Sequence, residues 1–128
     1  MHEMGIVLQI VKTANEFAEA NNAESVRKLS LEIGEASAVV AHYVESFWKD
    51  VIPDHPMLAG CELEIEEIPA KAFCMDCGRV FFPGDSQKLQ YEQHSHSHKL
   101  VDVCPDCGSK MFKLIEGNTM IIKSMEIE

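Results

Sequence analysis

Residues 73–78 read FCMDCG, and residues 103–108 read VCPDCG. Each stretch contains a Cys-x2-Cys turn, which points two thiolates at one ion and lets backbone amides hydrogen-bond the sulfurs. Gly78 and Gly108 directly follow the second cysteine of each turn and can supply the positive φ that such metal knuckles need. The two turns therefore predict one four-sulfur metal site, built by Cys74, Cys77, Cys104 and Cys107.

The four-sulfur set predicts a structural site, because four protein ligands leave no open position for a hydrolytic reaction. Tetrahedral thiolate coordination favours Zn(II), and iron held as in rubredoxin is the alternative metal. Four free or disulfide-bonded cysteines are the alternative to metal. The odd total of five cysteines speaks against disulfides in a cytosolic chain. Cys61, on the apolar side of a predicted strand, is interpreted as a small buried hydrophobic residue.

Size and composition predict one globular domain, or one such domain that carries a small metal-stapled lobe. The chain has 128 residues, of which 46% are hydrophobic. It contains no run of about 18 uncharged apolar residues, so we expect no membrane span. An acidic residue at position 3 and the lack of a basic segment before it predict no secretory signal. We therefore expect a cytoplasmic protein.

The negative charge is concentrated in the first half of the chain. Residues 1–68 hold 4 Lys+Arg and 13 Asp+Glu, a net charge of −9, whereas residues 69–115 carry a net charge of +1. An acidic chain is repelled by phosphate backbones, so nucleic acid is disfavoured as a partner. The charge suits cations or basic protein surfaces, and solubility alone is the simpler explanation.

Hydrophobic periodicity predicts an α+β protein. Helical spacing indicates helices over residues 4–20 and about 38–52, the second with Ser37 as N-cap. Alternation predicts strands over residues 26–33 and 61–66 and a last strand over 119–127. Because a two-stranded sheet is marginal, the last strand is expected to return to the first part as a third strand. The domain boundaries follow: residues 1–69 and 116–128 form one domain, and residues 70–115 form an inserted zinc-ribbon-like domain.

The chain begins Met1-His2-Glu3, which offers a second metal site. The α-amine, the backbone nitrogen of His2 and its imidazole can close two adjacent chelate rings, and Glu3 adds an amide nitrogen or a carboxylate. Such a planar, nitrogen-rich set favours Ni(II) or Cu(II). In the alternative interpretation, Glu3 merely favours the positive end of the first helix.

The remaining histidines are weaker candidates. His94, His96 and His98 alternate with serines in the polar stretch between the cysteine pairs, and they form either a solvated loop or an auxiliary metal-capture cluster. His42 in the second helix and His55 between two prolines are interpreted as structural residues.

Taken together, these features resemble the HypA/HybF family of nickel metallochaperones for NiFe-hydrogenase maturation. The resemblance covers nearly the whole chain. It rests on Met1-His2-Glu3, on Leu31 to Glu35, on the strand from Gly60 to Glu66, on both cysteine pairs and on Met125-Glu126-Ile127. The Met-His-Glu start is specific only in combination with the two cysteine pairs.

The resemblance implies a function and assigns a different metal to each of the two sites. Met1, His2 and Glu3 would hold Ni(II), and the four cysteines would hold Zn(II) on a fold of two helices, a three-stranded sheet and a zinc lobe. The family delivers nickel to the hydrogenase large subunit precursor and works with a HypB-type GTPase, and some members serve urease. We also keep a homodimer as a candidate assembly. No nucleophile–base pair or phosphate loop is recognised, so we predict a carrier without enzymatic activity.

The link between the cysteine pairs departs from the usual family pattern. It comprises 26 residues, including the three clustered histidines, whereas most members have a short link. The insert brings His98 near the second knuckle in sequence, where it could complete the nickel site or compete with it. The rival functions are a zinc-ribbon adaptor without a nickel role and a rubredoxin-like electron carrier.

Overall fold

The structure is a computed structural model that describes residues 2–84 and 100–128. These residues form two α-helices and six strands, together with two 3-10 turns, Ile52–Asp54 and Pro56–Leu58. Their bounds are α1 His2–Ala20, β1 Val26–Gly34, α2 Ala41–Val51, β2 Glu62–Ile68, β3 Lys71–Cys74, β4 Val80–Phe81, β5 Phe112–Glu116 and β6 Met120–Ile127. The predicted α+β class is confirmed. Within the described residues, no helix is long and apolar enough to cross a membrane.

The first sheet has the strand order β2-β1-β6. Ser25 and Glu128 exchange two backbone hydrogen bonds, and the amide of Gly34 donates to the carbonyl of Thr119 at the other end of β1. Reciprocal bonding of this kind marks an antiparallel pair. The predicted return of the last strand to the first part of the chain is therefore correct.

The buried apolar side chains of the first part come from both helices and from the central strand. Alternate residues of β1 are almost fully buried, as the period of two predicts. On α1 the buried positions recur every three or four residues, so one stripe of the helix is covered. These residues are Val7, Ile10, Val11, Ala14, Ala18, Leu29, Leu31, Ile33, Val44 and Trp48. Leu8 is 50% exposed and lies outside this stripe, whereas Ile10 is buried in it.

The predicted N-cap of the second helix is wrong. α2 begins at Ala41 with Val40 as its N-cap. The Ser37 hydroxyl donates to the carbonyl of Gly34 at 2.7 Å and accepts from the amide of Val39 at 3.2 Å. The serine thus closes a local turn, which competes with a cap for the same hydroxyl. Ala38, with φ of 66°, then separates that turn from the helix.

The second sheet has the order β4-β3-β5 and lies between β2 and β6 in sequence. β3 pairs antiparallel with both neighbours, placing Ala72 between Phe81 and Leu114. Ala72, Phe81, Cys74 and Cys104 form its small buried cluster, with Val101, Phe112 and Leu114 packed against them. Phe81 and Phe112 make an edge-to-face contact with ring centroids 5.3 Å apart. The sequence pattern missed β3 because its four residues are too few to show a periodicity.

The chain divides into two compact units. The first comprises Met1–Glu32, Val40–Glu66 and Ile121–Glu128, and the second comprises Ile33–Val39 and Glu67–Met120. Within the second unit, the segment after β1 holds both ends of the inserted lobe. The amides of Glu35 and Ala36 donate to the carbonyls of Ile68 and Gly117, each at 2.8 Å. The Glu35 carboxylate also accepts from the amide of Ala70 at 2.9 Å.

Candidate metal centres

The sulfur atoms of Cys74, Cys77, Cys104 and Cys107 all lie within 4.8 Å of one another. The Sγ atoms of Cys74 and Cys107 are 3.6 Å apart, and those of Cys77 and Cys104 are 3.7 Å apart. A tetrahedral Zn(II) with Zn–S bonds of about 2.3 Å requires sulfurs about 3.8 Å apart. The cluster therefore has the dimensions of a four-thiolate metal site, and these distances far exceed a disulfide bond of about 2.05 Å. None of the five cysteines forms a disulfide.

Each knuckle is shaped by backbone hydrogen bonds around its first cysteine. The amide of Gly78 donates to the carbonyl of Cys74 at 3.0 Å, and the amide of Gly108 donates to that of Cys104 at 2.8 Å. Both glycines have φ of 76°, a conformation that favours residues without a Cβ atom. The predicted role of these glycines is confirmed.

The four cysteines differ in their exposure. Cys74 ends β3 and is buried, as is Cys104, whereas Cys77 and Cys107 are exposed. Each knuckle thus fixes one sulfur in the small core and presents the other to solvent. Such an arrangement is rigid at two ligands and open to competing ligands at the other two.

The ionisation of the sulfurs is uneven in the absence of a cation. The amide of Cys77, 3.4 Å from the sulfur of Cys74, lowers the pKa of Cys74 to about 7. The amide of Ser109 also lowers the pKa of Cys107, but the neighbouring Cys74 sulfur and desolvation outweigh it and raise that pKa to about 12. One thiolate therefore suppresses the ionisation of the next. A dication bound between them would stabilise both negative charges.

Contacts between the two knuckles were missed from sequence. The Ser109 hydroxyl donates to the Asp76 carboxylate, and the Arg79 guanidinium lies 3.7 Å from the Asp106 carboxylate. In the described residues, the four cysteines are the one group of three or more metal-ligating side chains close enough to share an ion. The repeated Asp before the second cysteine of each turn was the available signal for these contacts.

At the other candidate centre, the structure describes His2 and Glu3, whereas Met1 lies outside the described residues. His2 is the first residue of α1, and its side chain is 60% exposed. The Glu3 side chain is only 7% exposed, and its Oε2 accepts a hydrogen bond from the amide of Val40 at 3.2 Å. Its other oxygen, Oε1, lies 3.8 Å from Nδ1 of His2. The carboxylate therefore joins the first turn of α1 to the N-cap of α2.

The other sequence candidates fall into two groups. His94, His96 and His98 lie outside the described residues. His42 is exposed and contacts the ring of Tyr43 at a centroid distance of 5.8 Å, and His55 Nδ1 lies 3.1 Å from Nδ2 of Asn15 on α1.

Cys61 is buried, with 8% of its surface exposed. Desolvation, followed by the nearby Glu62 carboxylate, raises its pKa to about 11. The interpretation of Cys61 as a small hydrophobic residue is confirmed by its burial.

Comparison with known proteins gives matches over the whole chain. The family model described as hydrogenase/urease nickel incorporation, metallochaperone, hypA, matches residues 1–127. The hydrogenase maturation factor HypA of Aquifex aeolicus is 33% identical, with 100% of this chain and 98% of that protein aligned. HypA of Methanocella arvoryzae is 34% identical, with coverage of 100% and 99%. The solution structure of the Ni metallochaperone HypA from Helicobacter pylori is 27% identical, with a TM-score of 0.63 and coverage of 99% and 97%.

Proposed function

The chain belongs to the HypA family of metallochaperones for nickel incorporation into hydrogenase and urease, and from this premise we propose that it binds one Ni(II) at Met1, His2 and Glu3. Nickel is the cargo. Zn(II) at the four cysteines is the resident structural metal. In this proposal residues 1–69 and 116–128 form the nickel-binding domain, and residues 70–115 form the zinc-binding domain.

The observation that carries the nickel site is the exposed imidazole of His2 at the first position of α1. The first four amides of an α-helix have no intrahelical acceptor, so nickel can bind the amide nitrogens of His2 and Glu3 without breaking helical hydrogen bonds. The Glu3 carboxylate already accepts from Val40. Of the two contributions considered for Glu3, this engagement favours the backbone amide over the carboxylate.

Charge supports capture of a cation by the first part of the chain. Residues 1–68 carry a net charge of −9, and a field of one sign raises the local concentration of the opposite ion. Nitrogen ligands in a planar set select Ni(II) and Cu(II) over the harder cations that an acidic surface also attracts. The open axial faces of such a complex let a ligand from a partner attack and take the metal.

The four cysteines support a metal that stays in place. Sulfur separations of 3.6 and 3.7 Å suit Zn(II), and all four positions of the tetrahedron are protein ligands. Among the described residues of the lobe, the buried cluster has four members, so we expect its folding to be coupled to the metal. Metal analysis of the purified chain separates zinc, which gives a colourless protein, from iron, which gives a red one.

Delivery requires a recipient, for which the family supplies the candidates. We propose the NiFe-hydrogenase large subunit precursor as the client, with urease as a second client, and a HypB-type GTPase as the partner that hydrolyses nucleotide. The chain itself acts in the cytoplasm as a carrier and catalyses no reaction in this proposal. A zinc-ribbon adaptor would bind its partner equally well with and without nickel, which distinguishes the two functions.

His98 is proposed as a further nickel ligand, on the basis of its position near the second knuckle in the sequence. It lies outside the described residues, so the proposal is tested by titrating nickel into the wild-type and variant proteins. His98→Ala should weaken nickel binding and alter the absorption spectrum, and His94→Ala is the matched control. An unchanged affinity and spectrum in His98→Ala would remove His98 from the site.

The experiment that tests the nickel site adds one residue before Met1. The extension displaces the α-amine from the chelate and leaves every side chain in place. We expect nickel affinity to fall by more than the roughly 100-fold that loss of an outer-shell partner causes. An extension by one residue after Glu128 is the matched control, and zinc content reports that both proteins are folded. Equal one-to-one binding by both extended proteins would contradict the proposed site.

A further inference from the structure

The two metal knuckles are built on one repeated pattern that extends beyond the cysteines. Residues 74–78 and 104–108 both follow the pattern Cys-x-Asp-Cys-Gly. Arg79 and Ser109 then occupy the same position, directly after the glycine. Their carbonyls accept from the amides of Cys74 and Cys104, at 2.9 and 2.8 Å. The two knuckles thus share this backbone hydrogen bond and the one from the amide of the glycine to the carbonyl of the first cysteine.

The side chains of these equivalent positions are exchanged between the knuckles. Ser109 of the second knuckle donates its hydroxyl to Asp76 of the first. Arg79 of the first lies 3.7 Å from Asp106 of the second. Each aspartate therefore contacts the residue that follows the glycine of the other knuckle. Two contacts of the same design therefore link the two knuckles.

We propose that Asp76 with Ser109, and Asp106 with Arg79, are positioning residues that hold the two knuckles closed and set the rate at which the site loses its metal. The inference rests on the proposed zinc site and goes beyond it. Twenty-six residues separate Cys77 from Cys104. The two knuckles are therefore far apart in the sequence, and contacts between them are needed to hold one against the other. The exposed sulfurs of Cys77 and Cys107 are where a competing ligand would enter if the knuckles parted.

The Ser109 contact is the more constrained of the two. Its oxygen accepts from the amide of Met111 at 2.9 Å, which leaves the hydroxyl hydrogen free to point at Asp76. The amide of Met75, in the first knuckle, donates to the carbonyl of Met111 at 2.7 Å. The serine is therefore fixed next to Met111, whose backbone bonds to the first knuckle. Its own bond to the Asp76 carboxylate is charge-assisted.

Both contacts are exposed, and the Arg79 contact is the weaker of the two. The side chains of Arg79 and Asp106 are 70% and 49% exposed. An exposed ion pair alters an equilibrium by at most about fivefold, and salt screens it. The Ser109 oxygen is held by a second hydrogen bond, from the amide of Met111. Because the Ser109 and Asp76 side chains bond to each other and not to a sulfur, we take the lower end of the roughly 10- to 100-fold loss of metal affinity that removal of an outer-shell partner causes. We therefore expect an order of effects, with Ser109 above Arg79.

The test measures zinc transfer from the full-length, zinc-loaded chain to an excess of a chromophoric chelator. Ser109→Ala should release zinc about tenfold faster than the wild type, and Arg79→Ala at most about fivefold faster, with a difference that disappears in high salt. Ser109→Thr, which keeps the hydroxyl, should restore the slow rate. Ser124→Ala, an exposed serine on β6, is the matched control and should release zinc at the wild-type rate.

Two further measurements separate the possible outcomes. The double variant Asp76→Ala/Ser109→Ala should release zinc no faster than either single variant, because both remove the same contact. The cobalt-substituted proteins should keep the absorption of a tetrahedral four-sulfur site, which a general loss of folding would abolish. Equal release rates for Ser109→Ala and Ser124→Ala, or additive effects in the double variant, would overturn the inference. A wild-type chain that holds no zinc would instead overturn the proposed function.

Discussion

Glu3→Ala offers a quantitative test of how the start of α1 is held. The side chain of Glu3 is 7% exposed, and its Oε2 accepts from the amide of Val40 at 3.2 Å. A hydrogen bond to a charged group contributes about 1.5–3 kcal/mol, and an acceptor near a helix N-terminus gains up to about 1 kcal/mol from the helix dipole. Release of the buried carboxylate from its desolvated site offsets part of this sum. We expect a net loss of about 2 kcal/mol in the free energy of unfolding.

The assay is urea unfolding of the zinc-loaded protein, followed by the fluorescence of Trp48. This single tryptophan lies on α2 with 4% of its surface exposed, so it reports on the helix whose N-cap Glu3 contacts. With a slope of about 2 kcal/mol per molar urea, the midpoint should fall by about 1 M. Glu3→Gln keeps an acceptor oxygen and loses the charge, so it should lie about halfway. Glu16→Ala, an exposed position on α1, is the matched control. A Glu3→Ala midpoint equal to that of Glu16→Ala would refute the reasoning.

Three other predictions concern nickel binding by a Glu3 variant, two glycines and Cys61. Glu3→Gln should still bind one nickel ion per chain with less than about tenfold loss of affinity, measured by equilibrium dialysis; a larger loss would identify the carboxylate as a ligand. Gly117→Ala should cost about 2 kcal/mol or more, because φ is 76° and the new Cβ atom would lie 2.7 Å from Cα of Ala70. Gly5→Ala lies on α1, where the new Cβ atom would have no atom within 4 Å, so it should stabilise the protein by about 0.5–1 kcal/mol. Urea unfolding measures both glycine variants, and a change in the free energy of unfolding of the same sign in both would contradict this contrast. Cys61, with its pKa raised to about 11, should react with iodoacetamide at pH 8 about a hundredfold more slowly than a free thiol, because only the thiolate reacts. The reaction should become faster as the pH rises toward 11. Mass spectrometry of the zinc-loaded protein measures the rate, and rapid labelling at pH 8 would contradict the burial of Cys61.

Much of the fold could be predicted because its elements are long and periodic. The α1 helix and the strands β1 and β6 each present one apolar side, and the lack of a partner for the last strand predicted its return to the first sheet. The four cysteines were predictable for a different reason, since spacing within a Cys-x2-Cys turn alone brings two sulfurs to one point. Because a tetrahedral ion takes four ligands, the two turns were then expected to lie next to each other.

The errors and omissions concern polar side chains whose partners differ from the expected ones, within three residues for Ser37 and more than 30 residues away for Glu3 and Ser109. Ser37 has the residue type of an N-cap, but its hydroxyl is used by the turn that includes Gly34 and Val39. Glu3 was considered for the helix dipole or for nickel, whereas its carboxylate accepts from Val40, 37 positions away. No local pattern encodes such a contact. The pairing of Asp76 with Ser109 is of the same kind, although the repeated aspartate indicated that the position was special.

The proposed function requires that nickel and zinc occupy separate sites with different ligand atoms. X-ray absorption at the nickel and zinc edges measures the ligands of both metals, on the zinc-loaded chain with one equivalent of Ni(II). We expect only nitrogen and oxygen around nickel and four sulfurs, at about 2.3 Å, around zinc. Sulfur bound to nickel, or loss of sulfur from zinc as nickel is added, would place nickel at the cysteines and exclude a separate nickel site at Met1, His2 and Glu3.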